Sequence, residues 1–128
     1  MIKFLTLSEV LLILDDQIKN YGGKYGIGDI NLLSSAIYMP ESSFGGKYLH
    51  ETIPAMAAAY TFHICQNYPF IDGNKRTALA CSLVFLDING YELNCKSETL
   101  YNKMMDLAKG ETKKTELIKF FEKHSRKV

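Results

Sequence analysis

No apolar run in this chain approaches the roughly 18–20 residues needed to cross a bilayer. Residues 1–6 also lack the long apolar stretch of a secretory signal. These absences lead us to expect a cytoplasmic protein with no membrane partner. Paired cysteine spacing is missing too. Cys65, Cys81 and Cys95 are odd in number and far apart, which fits a reducing compartment and small buried side chains better than disulfides or zinc ligation. Net charge is nearly absent: 15 basic against 14 acidic residues remove the electrostatic case for direct nucleic-acid binding. Repeats, low-complexity tracts and linkers are lacking as well, and 128 residues fit a single domain over 1–128.

What is present is ordinary globular material, 47% hydrophobic and able to close one core. Helix signals dominate it. Thr6 with Glu9 forms a capping box ahead of Leu7, Leu11, Leu14 and Ile18, which fall on one helical stripe. Gly22 and Gly23 stop that helix. Asp29 caps a second helix carrying Leu32, Leu33, Ala36 and Ile37, ending before Pro40. Periodicity fails from Glu41 to His50, where Ser42, Ser43, Gly45 and Gly46 suggest a loop or small hairpin. Thr52 caps a third helix with Pro54 in its first turn and an alanine-rich body suited to the centre of a fold. Pro69 interrupts it. A fourth helix starts near Asn74 and ends at Asn89–Gly90, a fifth runs from Ser97 to about Lys109, and a sixth opens at Thr112 and buries Leu117, Phe120 and Phe121. The expected class is all-α, about six helices. Lysines and Arg126 outnumber acids in the last segment, which reads as a solvated helix face or as a surface for an acidic partner.

The stretch Asn67-Tyr68-Pro69-Phe70-Ile71-Asp72-Gly73-Asn74-Lys75-Arg76-Thr77 carries the chemistry. It sets a carboxylate, a glycine, an amide and two cations where a helix begins. First-turn amides have no intrahelical partner and sit at the positive end of the helix dipole. Gly73 allows a tight turn and close ligand approach, and Arg76 has a planar fork suited to phosphate oxygens. Asp72 would repel bare phosphate but suits a divalent cation bridging phosphate oxygens, as Mg2+ does. On the residues alone two readings stand: a magnesium–polyphosphate cradle, or an Asp-Gly-Asn turn that merely caps a solvated helix. The spacing of a Walker A loop is absent.

The segment resembles the Fic family motif, His-x-Phe-x-Asp/Glu-Gly-Asn-Gly-Arg-x-x-Arg. It is closer still to the death-on-curing branch, which reads Asn-Lys-Arg where the wider family reads Asn-Gly-Arg. The likeness extends over nearly the whole chain, including the helix ending at Tyr21-Gly22-Gly23 and the run on through Thr77, Ala78 and Leu79. It implies a Fic fold, six helices around a central pair with a small flap, and a loop that grips ATP with Mg2+. By position Asp72 would hold the metal, Gly73 and Asn74 would line the anion hole, and Lys75 and Arg76 would neutralise phosphate charge. The Glu41–His50 segment would be the flap that aligns a target peptide.

The wider family transfers AMP from ATP to protein hydroxyls, whereas death-on-curing toxins phosphorylate elongation factor Tu and stop translation. A Phd-like antitoxin, whose disordered tail folds on binding, restrains them. Lys75 in place of the second motif glycine and Leu79 in place of the final arginine favour the kinase branch. Tyr68 departs from the pattern: it stands where the family has its catalytic histidine. An imidazole with a reference pKa near 6.5 accepts a proton at neutral pH, and a phenol with a reference pKa near 10 does not. The resemblance therefore implies a toxin-type kinase scaffold impaired at Tyr68. An AMP-transferring enzyme and a non-catalytic nucleotide- or partner-binding module are the alternatives. His63 is expected to be a packing or surface residue, and His50 and His124 to be solvated.

Overall fold

Capping chemistry sets the helix starts. The Thr6 hydroxyl accepts from the Glu9 amide at 3.1 Å while the Glu9 carboxylate accepts from the Thr6 amide at 2.9 Å. Asp29 accepts from the amides of Asn31 and Leu32, and Thr52 from that of Ala55. Each satisfies donors that a helix leaves without partners. The computed structural model describes Met1 to Val128 and contains six α-helices. These are α1 (Leu7–Tyr21), α2 (Ile30–Tyr38), α3 (Ile53–Asn67), α4 (Asn74–Ile88), α5 (Ser97–Ala108) and α6 (Lys114–His124). The all-α expectation holds, and no helix is long and apolar enough to cross a membrane.

α3 is the axis of the molecule. It packs most extensively against α4, then against α6 and α2. Residues Pro54 to Thr61 and Ile64 are buried nearly all the way round the helix. Alanines make that possible, because small side chains let neighbouring backbones approach. At the α3–α4 contact the Thr61 hydroxyl meets the Ser82 hydroxyl, which also donates to the Ala57 carbonyl. The Tyr60 hydroxyl accepts from the Leu5 amide at 3.0 Å and so ties the N-terminal segment to the core.

The flap-like segment is a hairpin, β1 (Ser43–Phe44) against β2 (Lys47–Tyr48), preceded by a 3-10 turn at Met39–Glu41. Some expectations need correction. A second ribbon, β3 (Tyr91–Leu93) against β4 (Ser125–Lys127), was not foreseen, because three-residue strands show no readable alternation. α6 starts after Lys113 rather than at Thr112, since the Glu116 carboxylate accepts from the Lys113 amide at 3.0 Å. Phe120 is only partly buried beside the fully buried Leu117 and Phe121. His50 is not solvated: it is 6% exposed, in the segment between the hairpin and α3. His124 is half-buried, its ring 4.5 Å from that of Phe120.

Candidate functional site

The chain leaves α3 abruptly. Tyr68 caps the helix with φ 51° and ψ 52°, the one non-glycine residue with positive φ, and its amide donates to the Ile64 carbonyl at 3.1 Å. Pro69 and Phe70 then bury themselves, and the loop closes on Asn74. The Asn74 side chain is 4% exposed. Its Oδ1 accepts from the Phe70 amide at 2.9 Å and its Nδ2 donates to the Phe70 carbonyl at 3.0 Å. That reciprocal pair turns the side chain inward, so Asn74 offers an anion only its backbone amide.

Gly73, at φ 74°, is the N-cap of α4, and no side chain caps that helix. The contrast with Thr6, Asp29 and Thr52 is physical: the first-turn amides of α4 keep their hydrogen-bonding capacity and their share of the helix dipole. Tyr68, Asp72, Gly73, Asn74, Lys75 and Arg76 line one open cavity of about 300 Å³ at this point. The structure therefore brings Tyr68, Asp72, Gly73, Asn74, Lys75 and Arg76 to one place, while the Glu41–His50 segment does not line this cavity.

Asp72 is held by backbone amides. Its Oδ1 accepts from Gly73 at 2.8 Å and its Oδ2 from Lys24 at 3.2 Å. Neither Lys75 nor Arg76 pairs with it, since the ion pairs of the chain are Lys19–Asp15 and Arg126–Glu92. Arg76 instead donates from Nη2 to the Gly22 carbonyl at 2.8 Å. The site thus presents an unneutralised carboxylate beside two cations and a row of uncapped amides, a set that can bind a polyanion together with a cation.

No histidine lines this cavity. His63 lies outside the cavity, and burial, with Lys114 and His50 nearby, lowers its pKa to about 4. Cys65 lines an adjoining space of about 200 Å³ with Tyr68 and Lys75. Burial pushes its thiol up to about 11 despite the Lys75 charge, so it stays protonated and inert.

Two parts of the site escaped the sequence. One is the linker between α1 and α2, whose Gly22 and Lys24 hold Arg76 and Asp72; the paired glycines there read only as a helix stop. The other is an apolar cavity of about 380 Å³ that shares Lys75 and Arg76 with the cradle and is walled by Leu79, Leu100, Tyr101, Met104 and Met105. Bringing α5 to that place is a tertiary outcome that no local pattern encodes.

Comparison with known proteins gives the family. The chain is 36% identical over 73 residues to "Toxin Doc" of Mycolicibacterium smegmatis, a match covering 57% of this chain and 56% of that protein. It thus spans little more than half of the relative's length. The family model described as Fic/DOC matches residues 4–86, which hold α1 to α3, most of α4 and the whole cradle. By that match and this architecture, the chain belongs to the Fic/DOC family.

Proposed function

We propose that this chain is the toxin of a toxin–antitoxin pair, built on a protein-kinase-type scaffold that binds ATP with Mg2+ and is restrained in turnover by Tyr68. The observation that carries the reading is the uncapped start of α4 beside a carboxylate that no cation neutralises. No group of three or more His, Cys, Asp or Glu gathers anywhere in the chain, so Asp72 would hold a metal only alongside ligand oxygens. That is the way Mg2+ is usually bound with nucleotides, through one or two carboxylates plus phosphates. Bound there, Mg2+ would supply charge neutralisation to the triphosphate. The first-turn amides of α4 would donate to the phosphate oxygens, Lys75 and the free edge of Arg76 would balance their charge, and Leu79 offers no cationic clamp to the terminal phosphate. Lys75 crowds the loop where the wider family has glycine. Both features favour a nucleotide presenting its γ-phosphate to a protein hydroxyl over one presenting its α-phosphate.

Tyr68 stands at the mouth of this cavity, 68% exposed, in the place of the family's general base. A neutral phenol cannot accept the proton of an attacking hydroxyl, and general-base catalysis is worth about 10²–10⁴-fold. The restraining partner is a Phd-like antitoxin with a disordered tail, and the target is elongation factor Tu, as in the death-on-curing branch. The test is transfer of label from γ-labelled ATP to elongation factor Tu by this chain and by Tyr68→His. We expect the histidine variant to transfer about 10²–10⁴ times faster. Absence of label in the histidine variant defeats the kinase reading. Label arriving from the α-phosphate selects AMP transfer, and tight ATP or antitoxin binding without transfer selects a non-catalytic module.

A further inference from the structure

The linker between α1 and α2 runs antiparallel to the motif loop and is stitched to it along its length. The amides of Gly28 and Asp29 donate to the Pro69 carbonyl at 2.8 and 3.1 Å, and the Ile71 amide donates to the Gly26 carbonyl at 3.0 Å. Ile27 and Phe70 form an antiparallel bridge. Further along, the Lys24 amide reaches Asp72 Oδ2 and the Gly22 carbonyl takes Arg76 Nη2. The two side chains with the most specific chemistry in the cradle are therefore each held by backbone groups of a segment remote in sequence.

Gly23 sits between those two contacts. Its φ is +114°, and a Cβ placed there would lie 2.6 Å from Asp72 Oδ2 and 3.1 Å from its Cγ. The carboxylate packs against bare backbone, in the space a side chain would fill. With Oδ2 on the Lys24 amide and Oδ1 on the Gly73 amide, the remaining lone pairs are fixed in direction. Arg76 is fixed likewise. Its Nη2 lies 3.4 Å from the place of a Gly73 Cβ. The guanidinium makes no ion pair with Asp72, a pairing that would cancel the charge a cation needs.

We propose that Gly22–Lys24 is a positioning strap, with Gly23 the residue that lets its backbone hold the Asp72 carboxylate turned toward a bound cation and apart from Arg76. This rests on the nucleotide reading above and assigns a second set of residues to the same site. Backbone partners of a metal-binding carboxylate orient it, and losing such a partner typically weakens metal binding by about 10–100-fold.

The test compares the wild-type chain, Gly23→Ala and Gly90→Ala by calorimetric titration of ATP, with excess Mg2+ and with a chelator, alongside thermal unfolding. Gly90 is the strain control: its φ is also positive, at +79°, but nothing stands within 4 Å of its Cβ position. Gly23→Ala is expected to lose about 10–100-fold in the Mg2+-dependent gain in affinity, to keep its Mg2+-free affinity, and to melt near Gly90→Ala. Full Mg2+ dependence in Gly23→Ala overturns the proposal, as does an equal loss with and without Mg2+. If the wild-type chain itself shows no Mg2+-dependent ATP binding, the nucleotide reading fails and the strap falls with it. Should Gly23→Ala not fold, hydrogen exchange in the wild-type chain decides. Adding Mg2+ to the ATP complex is expected to slow the Lys24 amide, and an unchanged rate overturns the proposal.

Discussion

Asn74 and Tyr68 bound the same loop and pull on it in opposite directions. Asn74 was expected to line the anion hole, yet its side chain serves the loop, closing Phe70 to Asn74 with two hydrogen bonds in a buried setting. Truncation to alanine would leave the Phe70 amide and carbonyl without partners in the interior. Asn74→Ala is therefore expected to cost about 2 kcal/mol in urea unfolding. A loss below a few tenths would show that the pair contributes nothing. Tyr68 is the converse. A bulky side chain in the left-handed region ahead of a proline is disfavoured twice, by its own Cβ and by the following ring. Histidine and asparagine adopt that region more readily than tyrosine. Tyr68→Gly is expected to gain about 0.5–1 kcal/mol, the relief of strain outweighing the added freedom of the unfolded chain. The same urea titration reads it, and a loss of stability would mean that the exposed ring has a packing role.

At the level of helices, density around α3 governs the fold. Ala58 is fully buried in the helix that α2, α4 and α6 surround. A leucine there adds three carbons to a space already filled. Ala58→Leu is expected to cost about 1–3 kcal/mol, against less than about 0.5 for Leu12→Ala, where the side chain is 69% exposed. Chemical denaturation of both variants gives the comparison, and equal effects would disprove the crowded axis. Helix starts and stops were legible because they are local. The caps at Thr6, Asp29 and Thr52 and the stop at Gly22 each depend on residues within a turn. The loop from Tyr68 to Arg76 was legible for the same reason, as a contiguous run. The ribbon joining Tyr91–Leu93 to Ser125–Lys127, the apolar wall from α5 and the linker holding Asp72 were not. Their partners lie from about 20 to nearly 50 residues apart, and neither spacing nor propensity records such encounters.

Across the whole molecule, one partly buried cluster couples stability to pH. His50, before α3, and His63, on α3, meet the first residue of α6, Lys114. His50 Nδ1 and His63 Nε2 are buried without partners. Burial is the main cause lowering the pKa of both histidines, the Lys114 charge lowers them further, and the Pro40 carbonyl partly offsets this at His50. Lys114 is itself lowered by burial. His63 falls to about 4 against an ordinary value of 6.5. The sign follows from proton counting: between these values the unfolded chain carries protons that the folded chain excludes, so unfolding is favoured as pH falls. The stabilisation is complete above the ordinary value and is lost progressively as pH drops from about 6.5 toward 4. Because the cluster lies where α3 meets α6, protonation is expected to loosen the docking of the last helix. Denaturant midpoints measured from pH 7.5 to pH 4.5 should decline for the wild-type chain and decline less for His63→Gln, with carboxylate titration common to both. Parallel curves for the two proteins would remove the histidines from the account and leave acid sensitivity to the carboxylates alone.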